Sequence, residues 1–119
     1  MAIEVVDLTL PPQAQIRIDF SLTAQVNVTD YAAQRKVSRL LLDQAGNLLY
    51  GERPSLGAGR RLLWWVPVWL ALPTTGPVGQ VGSLDVDAQT GEILFDQRIL
   101  DELAERGNAL ARRTSSAAG

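Results

Sequence analysis

Asp85, Asp87, Glu92 and Asp96 form the carboxylate cluster of this 119-residue chain. Carboxylates this close can hold a cation or share a proton. A calcium loop of the helix–loop–helix kind needs glycine at its sixth position, and Gly91 is seventh counting from Asp85. Asp85 and Asp87 alternate onto one sheet face, which allows only a weak cation contact. A turn cap with a solvated face is the expected role. As an acid–base pair the cluster is poor, because nothing nearby predicts burial or a second, differently tuned carboxyl. Gly57-Ala58-Gly59-Arg60-Arg61 has the small residues of a phosphate loop, but it leads into a strand and not into a helix N-terminus. There is no histidine and no cysteine, so the commonest general base, the best nucleophile and the usual transition-metal ligands are missing. Lys36 is the sole lysine, and Ser21, Ser38, Ser55 and Ser83 have no base in sight. The chain is therefore expected to be neither an enzyme nor a cofactor or metal carrier.

Binding is better represented. All three tryptophans lie in Leu62-Leu63-Trp64-Trp65-Val66-Pro67-Val68-Trp69-Leu70-Ala71-Leu72. In a strand, Trp64, Val66, Val68, Leu70 and Leu72 share one face, and Trp65, Pro67, Trp69 and Ala71 share the other. If the first face meets a helix, the second offers two indoles and a proline. They meet either a layer of the same chain or a partner, and tryptophan is enriched where partners dock. Pro67 removes a ladder donor, which predicts an edge strand or a bulge. Trp65, Pro67 and Trp69 are the candidate partner-binding residues.

The elements that position them follow from periodicity and punctuation. Ile3 to Leu10 reads as a weak strand stopped by Pro11-Pro12. Ile16, Ile18, Phe20, Leu22, Ala24, Val26 and Val28 then alternate strictly with polar residues, a long half-buried strand. Thr29 and Asp30 suit a helix N-terminus, and Ala33, Val37, Leu40 and Leu41 supply its buried stripe. That predicts a helix from Asp30 to Ala45, ended by Gly46-Asn47. Asn47 to Tyr50 reads as a short strand and Gly51 to Gly59 as a loop. After the tryptophan strand, Thr74-Thr75-Gly76-Pro77 turns the chain. Val78 to Val86 returns, and Asp87 to Glu92 makes a second hairpin into Ile93-Leu94-Phe95. A short helix from Ile99 to about Arg106 is expected, interrupted at Gly107-Asn108, with one more turn over Leu110 to Arg113.

Composition sets the frame. Apolar residues make up 46% and charged residues 20%, as in a globular domain. The net charge is −2 but segregated. Residues 31–63 hold six basic residues, Arg35, Lys36, Arg39, Arg53, Arg60 and Arg61, against Asp43 and Glu52. The overall acidic balance weighs against nucleic acid as a partner. A local basic patch of Arg35, Lys36, Arg39, Arg60 and Arg61 is the alternative reading, that of a nucleic-acid-associated regulator. No apolar run approaches the roughly 20 residues of a membrane span, and the first residues lack the basic start and long apolar stretch of an export signal. The expected location is the cytoplasm.

Val86-Asp87-Ala88-Gln89-Thr90-Gly91-Glu92-Ile93, closing a helix followed by three antiparallel strands, resembles the PepSY family over Thr29 to Phe95. The resemblance implies a small module that binds and restrains a partner protein, as in protease propeptides. The expected fold is α+β: an antiparallel sheet of four to five strands, one helix across a face and a short C-terminal helix. Residues 1–113 form one domain with an added N-terminal strand, and 114–119 a disordered tail. The expected function is a non-catalytic protein-binding or regulatory module, with an inhibitor- or antitoxin-like role as its sharper form, engaging a protein partner or a second copy as a homodimer. A purely structural homo-oligomer is the remaining alternative.

Overall fold

The computed structural model describes residues 26–46, 48–58 and 60–118. The strands expected in the first 25 residues lie outside the described residues, and residues 26–28, where the second was expected to end, are not strand. An α+β fold is present. Helix α1 (Asp30–Gln44) is followed by strands β1 (Leu49–Gly51), β2 (Ser55–Ala58), β3 (Leu62–Leu72), β4 (Gly76–Asp87) and β5 (Ile93–Leu94), then helix α2 (Gln97–Ala118).

Thr29 is the N-cap of α1, its hydroxyl accepting from the Ala32 N–H at 3.1 Å. Ala33, Val37 and Leu41 are its fully buried stripe, and Gly46, at φ 97°, turns the chain out of the helix. Ser38 Oγ accepts from the Gly51 N–H at 2.9 Å, and Gln34 donates to the Gly51 carbonyl at 3.1 Å. Helix side chains thus satisfy the outward backbone groups of Gly51 on the edge of β1, a position that would otherwise invite pairing.

The sheet is antiparallel throughout, and β3 lies inside it. β4 runs along one side of β3, with β5 beyond it; β1 and β2 lie end to end along the other. The tryptophan strand is therefore not an edge, which corrects one expectation for Pro67. Pairing with β1 ends at Gly51–Val68, and pairing with β2 begins at Ser55–Trp65. The Pro67 carbonyl accepts from the Glu52 N–H at 2.8 Å, on this side of the strand. A strand residue's N–H and C=O point the same way. The missing donor of Pro67 thus falls at the break between β1 and β2, where the ladder is already interrupted.

One core fills one face. Val66, Val68 and Leu70 of β3, Leu84 and Val86 of β4 and Leu49 of β1 pack with the α1 stripe and with Leu100 and Leu103 of α2. Each of these valines and leucines contributes roughly 1.5–3 kcal/mol by leaving water. The approach of α2 depends on Gly82, where an added Cβ would stand 2.5 Å from Leu103 Cδ2.

Three expectations are corrected. Gly51 to Gly59 is not all loop, since residues 55–58 pair with β3. The C-terminal helix is not short: it passes through Gly107-Asn108 and runs to Ala118, so the disordered tail expected from residue 114 is helical as far as that residue. Gly107 is a close-approach residue here, because a Cβ would come within 2.9 Å of Leu49 Cδ2. No helix among the described residues is long and apolar enough to cross a membrane.

The Asp87–Glu92 turn ties these parts together. Asp87 Oδ1 accepts from the Gln89 and Thr90 N–H groups at 2.8 and 2.9 Å, and Oδ2 meets Arg61 at 3.4 Å. The Ala88 carbonyl accepts from the Asn27 and Val28 N–H groups, and Ala88 N–H donates to Leu62. Lys36 Nζ donates to the Gly91 carbonyl at 2.8 Å. Gly91, at φ 80°, supplies the left-handed residue that the turn requires.

Two outcomes are expected. Gly82→Ala should cost about 1–3 kcal/mol in urea unfolding, because the buried Leu103 has little room to give way; an unchanged midpoint would refute the close packing. The Thr90 and Gln89 N–H groups, and then Arg61, hold the Asp87 carboxyl below its ordinary range. A lowered folded-state pKa stabilises the fold above the unfolded value of about 3.9, and that stability is lost as pH falls through the folded value. Wild type should therefore lose stability below about pH 4 more steeply than Asp87→Asn, measured by urea unfolding across pH.

Candidate functional site

Alternation along β3 places Leu63, Trp65, Pro67, Trp69 and Ala71 on the face away from the helices. Cross-strand register adds Tyr50 opposite Trp69, and Asp85 opposite Trp65 with Leu94 beyond it. None of these side chains belongs to the core cluster. Both helices pack against the core face, so no described element lies across this one. Trp65 is 41% exposed, Trp69 is half-buried and Pro67 is buried. The three sequence candidates are thus brought together on one face, with Trp65 the most accessible.

Trp64 has a different part. Its Nε1 donates to the Val28 carbonyl at 2.6 Å, and its ring packs against the core. Neighbouring indoles in one strand are therefore divided between fold and surface.

Two polar groups interrupt the helix-free face. Burial, and then the Glu52 carboxylate beside it, push the Tyr50 hydroxyl up to about 12. That hydroxyl is buried without a hydrogen-bond partner of acceptable geometry. Burial also raises the Asp85 carboxyl above its ordinary value. Asp85 is half-buried rather than fully solvated, which qualifies the sequence reading.

Asp87 confirms the turn-cap role expected of the carboxylate cluster, although it is buried. Asp85 and Asp87 are thus tuned in opposite directions, which the sequence did not foretell. They do not make an acid–base pair, because both Asp87 oxygens are engaged by the turn and Arg61. Among the described residues no group of three or more acidic, histidine or cysteine side chains is placed to hold a metal ion.

The basic residues are divided. Arg35, Lys36 and Arg39 line a groove along α1, where Arg35 stands 5.6 Å from the Tyr31 ring centre. Lys36 is tied to Gly91 and Arg61 to Asp87, while Arg60 is exposed at the start of β3. Two of the five patch residues therefore spend their charge on the same turn. The sequence missed Tyr50 and Asp85 as members of the helix-free face. Strand alternation could have flagged Asp85, whereas Tyr50 needed the register.

No protein-family model, curated protein or solved structure matches the chain.

Removing the orphaned hydroxyl by Tyr50→Phe is expected to stabilise the fold by about 1 kcal/mol. Thermal and urea melts would read this, and a loss of stability would mean that the hydroxyl is satisfied in solution.

Proposed function

We infer that this protein is a non-catalytic docking module whose helix-free sheet face receives a protein partner. The observation that carries this reading is the position of Trp65, 41% exposed among Leu63, Pro67, Trp69 and Leu94 on a face that the core does not use. Exposed tryptophan amid apolar neighbours is the composition of an interface centre. An inhibitor-like or restraining role is the form of docking that the PepSY resemblance of residues 29–95 suggests. Residues with no histidine or cysteine among them favour binding over chemistry. Association with a second copy through the same face is the competing occupant. The basic patch supports nucleic-acid binding less well, since Lys36 and Arg61 are engaged within the fold. A cytoplasmic location belongs to this proposal.

The test is capture by tagged wild-type chain and by Trp65→Ala, from lysate of the source organism, read by mass spectrometry. Trp65→Ala should keep the wild-type melting profile within a few degrees, because Trp65 lies outside the core cluster. It should lose a stoichiometric partner that wild type retains. Trp64→Ala should instead unfold readily. A partner retained by a folded Trp65→Ala, Trp69→Ala double variant would sink the reading.

A further inference from the structure

Asp85 is the feature of the helix-free face that a purely apolar contact would not tolerate. It lies between Trp65 of β3 and Leu94 of β5, half-buried, and no described cation meets it. Covering the face with apolar surface would strip the remaining water from this carboxylate, which is costly unless a cation replaces it. Burial already disfavours its ionised form. Glu52, beside Tyr50, adds a second acid to the region. Two copies packed face to face would bring together two Asp85 and two Glu52 side chains. The cation at the end of the face, Arg61, is occupied by Asp87. Like charges facing one another argue against a second copy.

We propose that this face takes a protein segment presenting an arginine or lysine among apolar anchors, with the cation seated on Asp85 and against the Trp65 indole. The proposal rests on the docking reading above and names the chemistry of the partner. Arginine suits the position best, because a planar guanidinium pairs with a carboxylate while its face stacks on an indole. The apolar anchors meet Leu63, Trp69 and Leu94.

The test is selection of a phage-displayed random-peptide library on the immobilised full chain, repeated on Asp85→Asn and Trp65→Ala. Asp85→Asn should melt no lower than wild type at neutral pH, since it removes a charge that burial disfavours. Wild type should enrich peptides that combine aromatic or aliphatic residues with arginine or lysine. On Asp85→Asn the apolar enrichment should persist and the basic enrichment disappear. A synthesised wild-type winner should bind Asp85→Asn about tenfold more weakly or worse.

Basic enrichment that is absent, or unchanged on Asp85→Asn, overturns the charge inference. The docking reading survives that result if Trp65→Ala abolishes selection. Peptides indifferent to Trp65→Ala overturn both. A selection that yields nothing also overturns the proposal. Sedimentation then assigns the face, to a second copy if wild type is a dimer that Trp65→Ala makes monomeric, and otherwise to the chain's own residues.

Discussion

The Asp87 carboxylate closing its own turn is the interaction on which the other parts depend. Its oxygens fix the Gln89 and Thr90 N–H groups, and the turn so shaped offers carbonyls at Ala88 and Gly91 to the chain entering α1 and to Lys36. Asn27 and Val28 are held there, so Thr29 caps the helix at a set distance from the sheet. Val28 in turn accepts from Trp64. A reverse turn that would serve only to reverse the chain becomes the point where α1, β3, β4 and the entering segment meet. Charge-assisted hydrogen bonds to a buried carboxylate are among the stronger polar contacts available to a small domain.

From that anchor the division of β3 follows. One set of alternate residues is committed to the helices, and the other set is left to whatever meets the far face. The close approach of α2 at Gly82 and Gly107 lets two helices share one side. That concentration of the core leaves Trp65 outside the core cluster and largely accessible.

Much of this was legible in the residues. Thr29, Asp30 and the Ala33–Val37–Leu41 stripe mark α1 by capping and period alone, and Asp87 to Glu92 declares its turn. The two faces of the tryptophan strand follow from period two. Strand β2 was not legible, because Ser55-Leu56-Gly57-Ala58 has neither alternation nor strong strand formers and is extended only through its pairing with β3. Gly107 misled for a related reason: its local signal is helix breaking, while tertiary packing against Leu49 uses the missing side chain. Pro67 pointed to an edge or a bulge; a register shift against β4 does fall beside it, between Val68 and Trp69, whereas no local pattern reveals that two short strands abut on its other side. On the candidate site, the grouping of Trp65, Pro67 and Trp69 was readable, whereas the burial of Asp85 and the presence of Tyr50 required knowledge of register.

The three indoles also give the molecule its own optical labels. Trp64 is bonded to a backbone carbonyl against the core, Trp69 is half-covered, and Trp65 faces outward. Their emission divides accordingly, with Trp64 responding to loss of packing and Trp65 to a change of polarity at the sheet surface. A chain that retains only Trp64 becomes an intrinsic fluorescence gauge of folding, and one that retains only Trp65 a gauge of the sheet surface, with no dye attached.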